Sequence, residues 1–257
     1  MSNEPESSYI SRDMNLVPRP LTKFTDGRGT ICIAETGTEV PYDIQSVTPY
    51  TDKKGLSTHS NFTVIVARGN LTLSLSRGEV SIEEDHYLHF SEKENIIDSQ
   101  LSEGGVAIMI LHNSYKLTDQ SSADDGTTYS IDDCRAYNSA ESAMDCKVQL
   151  PGIQRVFYIK NVKDGSVRGE HAHTYCHQAM TAIAGSFKVI LNDGSLSKDV
   201  SLDSSNITLH IPPYVWAKEM NFAQDAICLV VASHRYDRSG YIDKIDSLKK
   251  IRSEIYG

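Results

Sequence analysis

Arg168-Gly169-Glu170-His171-Ala172-His173-Thr174-Tyr175-Cys176-His177-Gln178 places three of the chain's nine histidines within seven residues. Side chains on an extended strand alternate between faces, so His171, His173 and His177 are expected on one face with Tyr175. Gly169 and Ala172 leave room beside them. Imidazoles and a phenol make a poor apolar core. They suit a pocket that moves protons or holds a metal, because imidazole titrates near neutrality and its neutral nitrogens ligate metals. A hydrated edge strand that carries histidines is the plainer alternative.

Outward from this stretch, the chain reads as short strands. Thr30 to Ala34, Ile44 to Pro49, Phe62 to Ala67 and Leu71 to Leu75 precede it, with Gly, Asn, Asp and Ser between them. Val106 to His112 and Ala226 to Ala232 are nearly continuous apolar runs, as expected of strands buried on both faces. After the His-rich strand come Met180 to Leu191, Ile207 to Ile211 and a break at Pro212-Pro213. Tyr241 to Tyr256 carries Ile242, Ile245, Leu248, Ile251 and Ile255 at spacings of three and four, the period of an amphipathic helix. Leu117 to Ala143 is polar and reads as a linker. The fold expected is therefore all-β with a short C-terminal helix.

The two halves resemble each other. His89 to Tyr115 lies on His210 to Tyr236 without a gap, and Gly69 to Leu75 lies on Gly185 to Leu191. Ile44-Gln45-Ser46-Val47 matches Ile153-Gln154-Arg155-Val156. An order of matches kept over most of the chain points to two copies of one β domain. The expected boundaries are 1-117 for a degenerate first copy, 118-143 for the linker and 144-257 for the second copy. Gly55 to Gly69 is six residues shorter than Gly165 to Gly185, and the first copy has no H-x-H pair, only Ser57-Thr58-His59. The chemistry is expected in the second copy.

The 257 residues carry a net charge of −9, with no basic cluster to track phosphates, which argues against nucleic acid as a partner. No apolar stretch is long enough to span a bilayer, and Met1 to Tyr9 lacks the pattern of a signal peptide. The five cysteines are scattered, with no C-x-x-C pair, as expected of reduced thiols. A cytoplasmic location is the resulting expectation.

Gly165, His171-Ala172-His173, Gln178 and Gly185 resemble the first motif of the cupin superfamily, the RmlC-like jelly rolls. Two tandem cupin domains are the fold this implies. Metal-binding cupins have a glutamate where Gln178 stands and a later histidine, absent from Pro212-Pro213-Tyr214-Val215-Trp216-Ala217. Two of four ligands are thus missing, and a transition-metal site needs at least three from the protein. Only His177 offers a replacement. No metal or other cofactor is expected.

A closer resemblance is to the sugar 3,4-ketoisomerases, the WxcM-like group of nucleotide-sugar cupins. It is carried by Arg168 to His173, Gln178, Gly185-Ser186, Asp193-Gly194, Pro212-Pro213, Trp216, Asn221-Phe222, Ala232 to Asp237 and Tyr241-Ile242. Asp26-Gly27-Arg28-Gly29 resembles that family's opening motif. The resemblance implies an isomerase that moves the ketone of a nucleotide-linked 4-keto-6-deoxyhexose, typically on thymidine diphosphate, from C4 to C3. It implies His171 and His173 as acid/base residues and Tyr158, Arg168, Gln178 and Trp216 at the substrate; His177, placed where the strand is expected to turn, is a secondary candidate. Thr174 and Ala217 depart from the lysine and histidine common at those positions. The alternatives are a 3,5-epimerase-like enzyme on the same substrates, a non-catalytic sugar-nucleotide-binding or assembly protein, and a metal-dependent oxygenase. Family members pair as homodimers through edge strands; the internal repeat offers a pseudo-dimer within one chain instead.

Overall fold

Val106 to His112 and Ile227 to Ala232 are interior strands of two sheets that pack against each other, which is why both sequences are largely apolar on both faces. The computed structural model describes residues 16–41, 43–51, 56, 61–76, 78–90, 96–112, 130–138 and 150–256. Most of the expected linker and Ser57-Thr58-His59 lie outside these residues.

The first half contains β1 (Arg19–Pro20), β2 (Thr22–Asp26), β3 (Gly29–Glu35), β4 (Ile44–Tyr50), β5 (Phe62–Arg68), β6 (Leu71–Leu75), β7 (Gly78–Ile82), β8 (His86–Phe90), β9 (Ile96–Leu101) and β10 (Val106–His112). The second contains β11 (Ala136–Asn138), β12 (Arg155–Lys160), β13 (Arg168–His173), β14 (Gln178–Ala184), β15 (Phe187–Asn192), β16 (Ser197–Leu202), β17 (Ile207–Ile211), β18 (Trp216–Met220), β19 (Ile227–Ala232), β20 (Tyr241–Ile242) and helix α1 (Ile245–Tyr256). Among the described residues four sheets result, with orders β7-β6-β9, β1-β8-β5-β10-β4, β11-β17-β14-β19-β12-β3-β2 and β16-β15-β18-β13-β20. Their paired strands are antiparallel.

Three apolar clusters join these sheets into layers. One lies between the two sheets of the first half, around Phe62, Leu73 and Ile82. A second lies between the two sheets of the second half, around Met180, Leu191 and Val230. The third joins the halves, with Ile65, Ile108 and Ile110 against Val156, Ile183 and Leu229. Strands β3 and β2 cross over: they extend the second half's sheet by pairing β3 along the free edge of β12.

The central sheet of each half has the same order, β1-β8-β5-β10-β4 and β11-β17-β14-β19-β12. Register equates individual residues. Phe62 pairs with Phe90 and Leu111, and Leu111 with Ser46. In the second half Gln178 pairs with Ile211 and Ala232, and Ala232 with Arg155.

Three expectations need correction. Met180 to Leu191 is two strands, broken at Gly185, whose φ is +60° and whose added Cβ would lie 2.7 Å from the Ala226 Cα. The C-terminal helix starts at Ile245, because Tyr241 and Ile242 pair with His173 and Ala172 as a strand. The region expected as a linker contains β11, which completes the edge of the second sheet against β17.

Candidate active site

A bulge aims the histidines. The register of β13 on β18 shifts between Gly169 and His171. Gly169 has a φ of +72°, and a Cβ there would lie 2.8 Å from the Ala217 carbonyl oxygen, so a larger residue would push the strands apart. Beyond the bulge His171 sits opposite Ala217, whose methyl belongs to the interior cluster of the second half. Ala172, between the histidines, packs on the opposite face with Ile242 and Leu248 of the C-terminal segment. His171 and His173 therefore face the interior together.

Their rings meet edge to face, with centroids 4.9 Å apart. The Tyr241 ring closes the group at 4.8 Å from His171 and 4.4 Å from His173. Burial pushes the pKa of His171 below its usual value, against an opposing hydrogen bond to the Gly169 backbone. Burial, followed by the fields of His171, Arg155 and His234, holds His173 well below. Both rings are neutral near pH 7, the state in which a histidine can accept a proton. Burial raises the Tyr241 phenol, against the opposing charge and hydrogen bond of Arg155, and the phenol stays protonated.

The floor is a row on the central sheet: Arg155 on β12, Ala232 on β19 and Gln178 on β14. Gln178 Nε2 lies 3.2 Å from His173 Nε2. An amide nitrogen can only donate, so the imidazole nitrogen accepts. Gln178 thus orients His173, a different role from the substrate contact expected of it. Arg155 is 3% exposed. Its Nη1 lies 3.9 Å from Glu35 Oε1 at the end of β3, and its guanidinium carbon 5.2 Å and 5.8 Å from the ring centroids of Phe157 and Tyr236. Its Nε is buried without a hydrogen-bond partner among the described residues.

The rim comes from the segment after β19. Ser233 Oγ lies 2.6 Å from His234 Nδ1, while His234 Nε2 is buried without a partner among the described residues. The Tyr175 ring packs 5.0 Å from His234, and its hydroxyl bonds Asp237. The Tyr236 amide donates to Glu35 Oε1 at 2.7 Å, so the first half supplies part of the rim. Arg155 and His234 are additions that the sequence reading passed over. Their signals were an arginine at the head of the otherwise apolar run Val156 to Ile159, where the first half has Ser46, and a histidine just past the buried strand.

Four expected residues stand elsewhere. Tyr158 is on the opposite face of β12, in the cluster between the halves, and donates to Asp85 Oδ1 at 2.7 Å. Strand alternation separates it from Phe157 and Ile159, which face the histidine side. Arg168, 4% exposed, pairs with Asp26 Oδ1 at 3.1 Å and anchors the β2–β3 hairpin. Trp216 packs on the outer face of its sheet with Tyr214, Ile245 and Leu248, away from Ala217 and the interior. His177 lies beyond the end of β13, and its Nδ1 is 3.1 Å from His210 Nε2, with the rings stacked at 5.3 Å. Tyr158, Arg168 and Trp216 leave the candidate substrate set, and His177 leaves the acid/base set. Among the described residues, no group of three or more His, Cys, Asp or Glu is placed to hold a metal ion, and no helix is long and apolar enough to cross a membrane.

Two neutral imidazoles in contact, beside a protonated phenol and a buried cation, can remove a carbon-bound proton and return it. Comparison with known proteins agrees in kind. A family model described as FdtA, WxcM-like, C-terminal, matches residues 131–253. The TDP-4-oxo-6-deoxy-alpha-D-glucose-3,4-oxoisomerase of Aneurinibacillus thermoaerophilus is 38% identical over 103 residues, 40% of this chain and 74% of that protein. A solved 3,4-ketoisomerase from Helicobacter canadensis is 30% identical, over 47% of this chain and 98% of its own, with a TM-score of 0.44. A mutant of the 3,4-ketoisomerase QdtA from Thermoanaerobacterium thermosaccharolyticum, solved with TDP-4-keto-6-deoxyglucose, is 31% identical over 40% of this chain and 75% of its own, with a TM-score of 0.40.

Proposed function

The chain belongs to the WxcM-like sugar 3,4-ketoisomerase family, and from that premise we propose that it moves the ketone of TDP-4-keto-6-deoxyglucose, or a close stereoisomer, from C4 to C3. The observation that carries this reading is the pair His171 and His173, the first half-buried and the second buried, both neutral and in ring contact. A neutral imidazole takes the proton from C3. The C–H electron pair becomes the C3–C4 double bond, and the C4 carbonyl electrons move to oxygen as an enediolate. Transfer of the O3 proton to O4 and return of a proton to C4 leave a ketone at C3. The sum is redox-neutral and needs no co-reactant.

The first half is proposed as a degenerate copy that arose by duplication. Matching strand orders and registers support this. Ser46, Leu111 and Phe62 occupy the positions of Arg155, Ala232 and Gln178, and the Phe62 ring stacks on Phe90 at 4.6 Å. Apolar packing replaces the polar floor, so one working site per chain is the reading. Occupation of the β12 edge by β3 favours a monomer over the homodimer. Incubation with the keto sugar in deuterated water, followed by proton NMR, tests the activity. Isomerisation is expected. Deuterium uptake with the ketone left at C4 would favour the epimerase-like alternative, and neither change would refute both.

A further inference from the structure

Arg155 has hydrogen-bonding capacity that its surroundings leave unused. A guanidinium carries five N–H donors and stays charged at any pH a protein tolerates. Here it is 3% exposed, and its Nε lacks a partner among the described residues. The carboxylate oxygen it faces, Glu35 Oε1, is 3.9 Å from Nη1, beyond hydrogen-bonding distance. That carboxylate already accepts from the Tyr236 amide. The Tyr241 phenol, on which the charge of Arg155 acts, brings the guanidinium no negative charge. Burying a cation with a donor open is costly unless an anion completes the shell.

Resting on the ketoisomerase reading, we propose that Arg155 is a catalytic residue that holds the enediolate oxygen of the sugar. Its place favours the reacting carbons over the diphosphate. Arg155 and Gln178 flank Ala232 in one row across the sheet, and Gln178 bonds His173. Ala232, whose small methyl separates the guanidinium from the amide, is itself fully buried. A sugar oxygen brought to this row would meet the fork of Arg155, while the adjoining carbon faces the imidazoles. As the proton leaves carbon and negative charge moves to oxygen, the positive charge is already in position, with no solvent to reorganise. The first half shows the converse: Ser46 and Leu111 take these positions where Phe62 replaces Gln178, so cation and base support are lost together.

Arg155→Met removes the charge and keeps an unbranched stem; Arg155→Lys keeps the charge without the fork. Removing one such donor is expected to lower kcat roughly 100- to 1000-fold in Arg155→Met, with Arg155→Lys between it and wild type. TDP affinity should stay within about 3-fold, since the nucleotide lies elsewhere on this account. The acid limb of the kcat profile should move to higher pH, because Arg155 helps hold His171 and His173 neutral. Oxalate, a planar enediolate mimic, should bind wild type and bind Arg155→Met at least about 10-fold more weakly. Wild-type-like kcat in Arg155→Met, or TDP affinity lost with kcat kept at saturation, would overturn the proposal; the latter would make Arg155 a diphosphate anchor. The oxalate arm does not require turnover. If wild type isomerises no keto sugar, the ketoisomerase reading fails on its own, and oxalate binding indifferent to Arg155 would overturn the anion site as well.

Discussion

Removing Asp85 is expected to loosen the whole molecule. Asp85 sits in the turn between β7 and β8 of the first half but takes its partners from elsewhere. Lys160 Nζ of the second half lies 2.6 Å from Oδ1, the Tyr158 hydroxyl donates to the same oxygen at 2.7 Å, and Lys23 Nζ is 3.2 Å from Oδ2. The Lys160 side chain is 5% exposed and that of Asp85 13%, so solvent screens their attraction weakly. Breaking a buried pair from one side costs about 3–5 kcal/mol, chiefly from the charge left behind. Lys160 keeps Glu84, itself 45% exposed, which lowers the cost; the stranded Tyr158 hydroxyl adds about 1 kcal/mol. Asp85→Ala is therefore expected to cost about 3–4 kcal/mol. Adding Lys160→Met removes the stranded cation, so the double variant should be less destabilised than the sum of the two single ones. Urea unfolding at pH 7.5, followed by circular dichroism and by the fluorescence of Trp216, measures this. The two signals should coincide if the shared cluster joins the halves. A loss below about 1 kcal/mol in Asp85→Ala, or strict additivity, would refute Asp85 as a link between the halves.

His171→Asn and His173→Asn should each lower kcat by roughly 100- to 10,000-fold, with TDP binding retained by calorimetry. Burial pushes Glu219 up to about 7, above an ordinary carboxyl, so the folded state holds a proton that the unfolded chain releases earlier. Stability from this group is full below pH 4.5 and lost as pH rises through 7; Glu219→Gln should stabilise by up to about 3 kcal/mol at pH 8 and by little at pH 4.5, read by urea midpoints. Trp216→Ala should cost roughly 3 kcal/mol of stability by removing packing on α1, yet leave kcat near wild type in material confirmed folded by circular dichroism.

Most strands were legible because the code for them is local. Leu71, Leu73 and Leu75 alternate, and Val106 to Leu111 is apolar throughout because a sheet covers each of its faces. His171 and His173 were legible as a pair for the same reason. His177 was not, since the strand ends at His173 and alternation stops there. Tyr158 and Trp216 failed differently: the residue type suits a sugar-nucleotide site, but which face of a strand meets the histidines depends on how the sheets stack. Arg155, Glu35 and His234 converge only through pairing between strands distant in sequence. The crossing of β3 onto β12 had no local signal either, because an edge strand reads the same whichever sheet it joins.

If His171 and His173 carry the proton transfer, the two must be needed for isomerisation. Proton NMR of TDP-4-keto-6-deoxyglucose with wild-type protein in deuterated water tests it most directly, with the His171→Asn/His173→Asn double variant beside it. A new 3-keto sugar bearing deuterium at C4 is expected with wild type and unchanged substrate with the variant. An unchanged substrate with wild type, or equal conversion by the variant, would contradict it.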